Sequence, residues 1–254
     1  MKHIQRFLPS LLAVVTGLSL SMGAQADTTL TREYTLYELV NDKLSFIVGD
    51  KEFSNFDWHA RGFFDDATGQ EWTSLDMSKH VNVHGELVNN GHYGLDFTGP
   101  FAAHPGETAS AELTYTVRVL DPGKYLSDFH LDGDVLVSGT NGQAIVRESV
   151  NDLTHTLIPL DPAGPLEVSH LAPGLPPVYN DVAFTAAGLR PVVAEIETTL
   201  LLSAGPNGNN ASVLHFQQQF SQLPEPSSYA MMVVGLAAAG LARRRIKADR
   251  ADQA

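Results

Sequence analysis

No cysteine occurs among the 254 residues of the chain. Disulfides, thiolate metal sites and a cysteine nucleophile are thereby excluded. Stability has to come from burial alone, which a domain of roughly two hundred residues can supply. Basic residues are scarce as well, with 16 Lys and Arg against 29 Asp and Glu. Seven of the basic residues (Lys2, Arg6, Arg243, Arg244, Arg245, Lys247, Arg250) and three of the acids lie outside Asp27–Leu223. That stretch therefore holds nine basic residues against 26 acids, a net charge of −17. A body so acidic is repelled by phosphate backbones, so nucleic acid is excluded as a partner, whereas divalent cations are not. Gly-x-Ser-x-Gly, His-Glu-x-x-His and phosphate-loop signatures are all missing. What the chain does have is 43% hydrophobic residues and a mean hydropathy of −0.06, values that call for a folded core rather than disorder.

The two ends differ from the body. The first residues, "MKHIQRFLPSLLAVVTGLSLSMGAQADTT", begin with Lys2 and Arg6, continue as an apolar stretch from Leu11 to Met22, and end in Ala24-Gln25-Ala26. Cations that stay cytosolic, an apolar run for the translocon and small side chains for the peptidase make a signal peptide over 1–26, cleaved after Ala26.

Near the other end, Pro224-Glu225-Pro226 precedes an unbroken apolar or small-residue run from Tyr229 to Ala242, closed by Arg243, Arg244 and Arg245. Counted from Ser227 the run is roughly 24 Å long as a helix, short of the ~30 Å hydrocarbon core, though flanking arginines can snorkel. The arginines stay cytoplasmic and orient the body outward. The Pro-Glu-Pro cannot join a helix and presents an extended segment to a processing enzyme. Taken together, these three features resemble the PEP-CTERM sorting signal. The resemblance implies recognition by an exosortase, a membrane-embedded processing enzyme. It also implies transient inner-membrane anchoring, followed by release to the cell surface or an extracellular polysaccharide matrix. Leu223 stands where the family commonly has valine, and the tail continues past the arginines as "IKADRADQA".

Between the ends, short stretches with period-two alternation recur among Gly, Pro, Asn and Asp turns. In "AELTYTVRV", Ala111, Leu113, Tyr115, Val117 and Val119 face one way and Glu112, Thr114, Thr116 and Arg118 the other. Further strands are expected at 34–40, 44–48, 81–88, 134–138, 143–150, 155–160, 166–171, 193–202 and 212–220, with turns at Gly49-Asp50, Asp121-Pro122-Gly123, Asp132-Gly133-Asp134 and Asn141-Gly142. The fold class is all-β: a single antiparallel β-sandwich of jelly-roll type over 27–222, flanked by the signal peptide and by the sorting signal over 223–254. "LSFIVGDKEFSNF" (44–56) also resembles a segment of β-rich bodies that carry this sorting signal. It implies a shared sandwich and no reaction.

Chemistry is harder to locate. His80, His84 and His92 fall close together, but a strand through Val81-Asn82-Val83 would hold His80 and His84 about 13 Å apart, too far for one metal. Asp132-Gly133-Asp134 lacks the EF-hand spacing, and Asp65-Asp66 and the Asn207–Asn210 stretch have no better claim. No residue is assigned as a metal ligand or as catalytic, and calcium between converging loops is the one cofactor the acidic composition suits. Trp58 and Trp72 read as core rather than as a sugar platform. The expected role is that of a non-enzymatic surface or matrix protein, structural or adhesive, in contact with exopolysaccharide. The alternatives are a calcium-assisted carbohydrate-binding module and a secreted glycan hydrolase.

Overall fold

The computed structural model describes residues 33–224, apart from 89–91, 140, 156–157, 160–163, 172–175, 181, 186–188 and 207–209. Ala24 and Ala26 lie outside the described residues, as does everything from Glu225 onward, including Pro226, the apolar run and Arg243 to Arg245.

The alternation read from the sequence becomes two antiparallel sheets packed face to face. One contains, in spatial order, β1 (Tyr34–Thr35), β4 (Asn82–Val88), β5 (His92–Ala103), β14 (Ala211–Pro224), β7 (Lys124–Val137) and β12 (Val182–Phe184). The other contains β11 (Val178–Asn180), β10 (Leu166–His170), β8 (Gln143–Asp152), β13 (Val193–Ser203), β6 (Thr108–Val119), β3 (Lys51–Arg61) and β2 (Phe46–Val48), with β9 (Ile158–Pro159) beside β8. Two long-range pairs are nested: β6 with β13, and outside it in sequence β5 with β14. β7 and β8, which connect the halves, pair with β14 and β13 respectively. This is a long hairpin wrapped upon itself, the jelly-roll manner of building a sandwich.

The inward residues of each strand meet in an aromatic core. Phe97 and Phe216 stack at 4.8 Å, and Phe220 reaches across to Phe53 at 5.9 Å and Tyr115 at 6.5 Å. Trp58 is buried; Trp72 is half-buried and stacks on His80 at 4.8 Å. The turn at Gly49-Asp50 forms as expected, with Gly49 at φ +60 against the ring of Tyr93.

The structure departs from the sequence pattern at several points, among them 155–160, where His155 lies in a turn and only Ile158–Pro159 are strand among the described residues. Residues 34–40 are not a strand: after β1 the chain enters α1 (Leu36–Asn41). Thr35 accepts from the Glu38 N–H while the Glu38 carboxylate accepts from Thr35 N, a reciprocal cap that fixes the first turn. Leu36 and Leu39, three apart, then face the core together. Residues 92–103 form one of the longest strands although Gly94, Gly99 and Pro100 interrupt the sequence pattern. Gly94 is needed for the close pairing with β14, since a Cβ there would lie 2.2 Å from Gln218 O. Gly99 and Pro100 sit at the register irregularity opposite Leu214. Asp132-Gly133-Asp134 is not a turn but the middle of β7. A short second helix, α2 (Ser74–Ser78), was not anticipated.

Candidate functional site

The outer face of the second sheet carries an open groove of about 790 Å3 that runs into a neighbouring hollow of about 350 Å3; the two share Arg61, Ser110 and Leu201. Strand register makes these residues a row across the sheet, because Ser110 pairs with Arg61 on β3 and with Leu201 on β13. A second row places His59, Glu112, Thr199 and Arg147 side by side. Arg61 Nε donates to Ser110 Oγ at 3.0 Å. Glu71, from the loop that follows β3, accepts from Gly62 N–H at 2.6 Å and walls one end. Gln143 and Glu107 complete a lining rich in hydrogen-bonding groups.

The outer face of the first sheet is a field of imidazoles, carboxylates and amides. His215 on β14 bridges Asp96 (Nδ1–Oδ1 3.1 Å) on β5 and Asp134 (Nε2–Oδ2 3.3 Å) on β7. Gln217 donates to Glu86 and Gln219 donates to Gln217. Burial, and then the neighbouring charge of Asp96, raise the pKa of Glu86 above the usual carboxylate value. Farther along, His92, Asp128 and His130 bring their ligand atoms within 4.8 Å of one another. In the chain His92 lies near His80 and His84; in the fold its neighbours are the distant Asp128 and His130. The available signal was "DFHLDGD", in which Asp128, His130 and Asp132 alternate with inward apolar residues and so must share a face.

Between the sheets lies a buried polar network. Tyr115, Glu148 and Thr198 come from the second sheet and Gln218 from the first, all at most 1% exposed. Gln218 Nε2 donates to Glu148 and to Thr198 Oγ1 (2.7 Å), and its Oε1 accepts from Tyr115 (3.0 Å). Burial pushes the Glu148 carboxyl up to about 8 against the opposing hydrogen bond from Gln218, so the core holds it protonated at neutral pH.

The last described strand ends in a second polar knot. Gln222 donates to Asp50, Lys51 Nζ lies 3.3 Å from Gln222 Oε1, and Asp50 also receives Lys51 and Lys124, each at 3.2 Å. Burial drives Lys51 down to about 8 although Asp50 opposes it. Burial alone would raise Asp50; Lys51, with hydrogen bonds from Gln222 and Lys124, holds it below its ordinary value. Past this knot, Leu223 and Pro224 still pair with Tyr125 and Lys124, so the body is strand up to the first residue of Pro-Glu-Pro.

The PEP-CTERM protein-sorting motif matches residues 222–246. The chain carries a PEP-CTERM sorting signal. It follows directly from β14, with Gln222 both inside the sheet and inside the matched segment. A PEP-CTERM signal indicates export and processing at the membrane by exosortase, consistent with a cell-surface or extracellular location. Among the described residues no helix is long and apolar enough to cross a membrane. No curated protein matches the chain. Among solved structures, a carbohydrate-binding module of the β-sandwich superfamily, described for promiscuous specificity, is 9% identical, with 68% of this chain and 91% of that chain covered and a TM-score of 0.19.

Proposed function

We propose that the body is a non-enzymatic polysaccharide-binding sandwich, delivered by its PEP-CTERM signal to the cell surface or an exopolysaccharide matrix, where it acts structurally or adhesively. The observation that carries this reading is the groove across the second sheet. It is open, and Arg61, Glu71, Glu107, Ser110 and Gln143 line it with donors and acceptors suited to sugar hydroxyls. A neutral or cationic glycan fits the surplus of acids in the body better than a polyanion does. Open grooves accept a chain in its middle, as a matrix polymer presents itself, whereas a closed pocket would need a chain end.

The test is retention of the purified chain by exopolysaccharide isolated from the producing cells, measured by affinity electrophoresis. Retention that falls in Arg61→Ala and Glu112→Ala supports the reading. A chain that migrates identically with and without the polymer overturns it, and reducing-end release during the same incubation would replace binding with hydrolysis.

A further inference from the structure

We propose that His92, Asp128 and His130 form a binding site for a divalent transition-metal ion of the zinc class on the outer face of the first sheet. Strand geometry builds the site. Asp128 and His130 are two apart on β7 and therefore point to the same side. His92 is on β5, and β14 runs between β5 and β7. The two imidazoles lean toward each other over β14, their ring centroids 5.5 Å apart. Small Ser221 sits on β14 opposite Asp128, and its Oγ lies 2.8 Å from His92 Nδ1.

The donor set selects the ion. Two imidazole nitrogens and one carboxylate suit zinc and its neighbours, whereas calcium and magnesium need an all-oxygen cage. Two of the three groups are held by outer ones: Asp128 by Ser127, and His92 by Ser221, whose Oγ lies 2.8 Å from Nδ1 and 3.1 Å from Nε2 of that ring. Ser127 donates to Asp128 Oδ2 at 3.0 Å, leaving Oδ1 toward His130 Nε2 at 3.0 Å. Such supporting hydrogen bonds are what hold metal ligands in place. Three protein ligands leave a coordination position open. Beside His130 is a cleft of about 350 Å3 whose wall includes Asp132, Gln219 and the exposed ring of Tyr179, so a water or an oxygen ligand can complete the shell from that side. Bound metal ties β5 to β7 across β14, just ahead of the sorting signal, and stabilises the sheet there. The site is on the opposite sheet from the polysaccharide groove and stands whether or not that groove binds a glycan.

Titration calorimetry of the purified full chain with zinc chloride tests the site, with calcium chloride as the contrast. The expected result is one saturable zinc per chain, no comparable calcium binding, and a zinc affinity reduced at least about tenfold in His92→Ala and in His130→Ala, since loss of even a supporting group costs that much. His59→Ala is expected to leave the affinity unchanged. A second measurement needs no variant: zinc should shield His92 and His130, but not His59, from histidine acylation mapped by peptide mass. The proposal is overturned by the absence of saturable zinc binding, by zinc binding that survives both substitutions, or by acylation of His92 and His130 that proceeds equally with and without zinc.

Discussion

The Tyr115 hydroxyl donates to Gln218 Oε1 at 3.0 Å, and this contact joins the two sheets through polar groups in the midst of aliphatic and aromatic core side chains. Gln218 also donates to Thr198 and to Glu148 Oε2, so one amide reaches three partners on three strands of the opposite sheet, while Glu148 Oε1 is buried without one. Groups left unpaired at this depth are costly, which makes Gln218 the keystone of the network.

Gln218→Leu is accordingly expected to destabilise the protein by about 2–4 kcal/mol, as the Tyr115 hydroxyl and the Thr198 hydroxyl lose their partner in a dry environment. The midpoint of urea unfolding measures this. A shift below about 1 kcal/mol would mean that the network rearranges without loss.

Glu148 gives the protein a pH dependence with a definite sign. Its folded pKa of about 8 lies above the ordinary 4.5, so between these values the folded state holds a proton that the unfolded chain has released. Its stabilising contribution is complete below about pH 4.5 and is lost as pH rises toward 8. Glu148→Gln keeps the shape and removes the titration. Its melting temperature is expected to exceed that of the unsubstituted protein near pH 8, with the gap closing toward pH 4.5. A gap that does not vary with pH would show that the carboxyl is not protonated in the fold.

Gly49 turns β2 into β3 at φ +60 and lies under Tyr93, where an added Cβ would sit 2.1 Å from the ring. Gly49→Ala should therefore cost about 2 kcal/mol or more, from backbone strain and overpacking together. Pairing it with Tyr93→Leu removes the ring and should recover part of the loss; a double variant no more stable than Gly49→Ala would leave backbone strain as the whole cause.

Substitution of the sorting motif should change the mature mass. With Pro224, Glu225 and Pro226 intact, the chain recovered outside the membrane is expected to begin near Asp27 and to end close to Pro-Glu-Pro. Glu225→Ala, or replacement of Arg243, Arg244 and Arg245 by alanine, should leave an uncut chain in the membrane fraction. Intact-mass measurement of both fractions checks this, and a full-length chain through Ala254 from the unsubstituted protein would make the tail a permanent anchor.

The sequence by itself determined what is encoded locally. The PEP-CTERM signal could be read because Pro-Glu-Pro, an apolar run and an arginine cluster act through their own succession along the chain. The strand character of 108–119 and 193–203 could be read because alternation is a property of neighbours. Even α1 is legible in principle, in the Thr35 and Glu38 cap, but Tyr34 and Thr35 before it and Tyr37 and Val40 within it favour a strand. Tertiary structure decided the rest. Whether Gly94 and Pro100 break a strand or serve one depends on β14 arriving from more than a hundred residues away. Whether Glu148 is a surface acid or a buried neutral one depends on which face of β8 the opposing sheet covers. His92 acquires Asp128 and His130 only because β5 and β7 flank the same strand. A nested antiparallel topology makes neighbours of residues distant in sequence, and no local pattern carries that pairing.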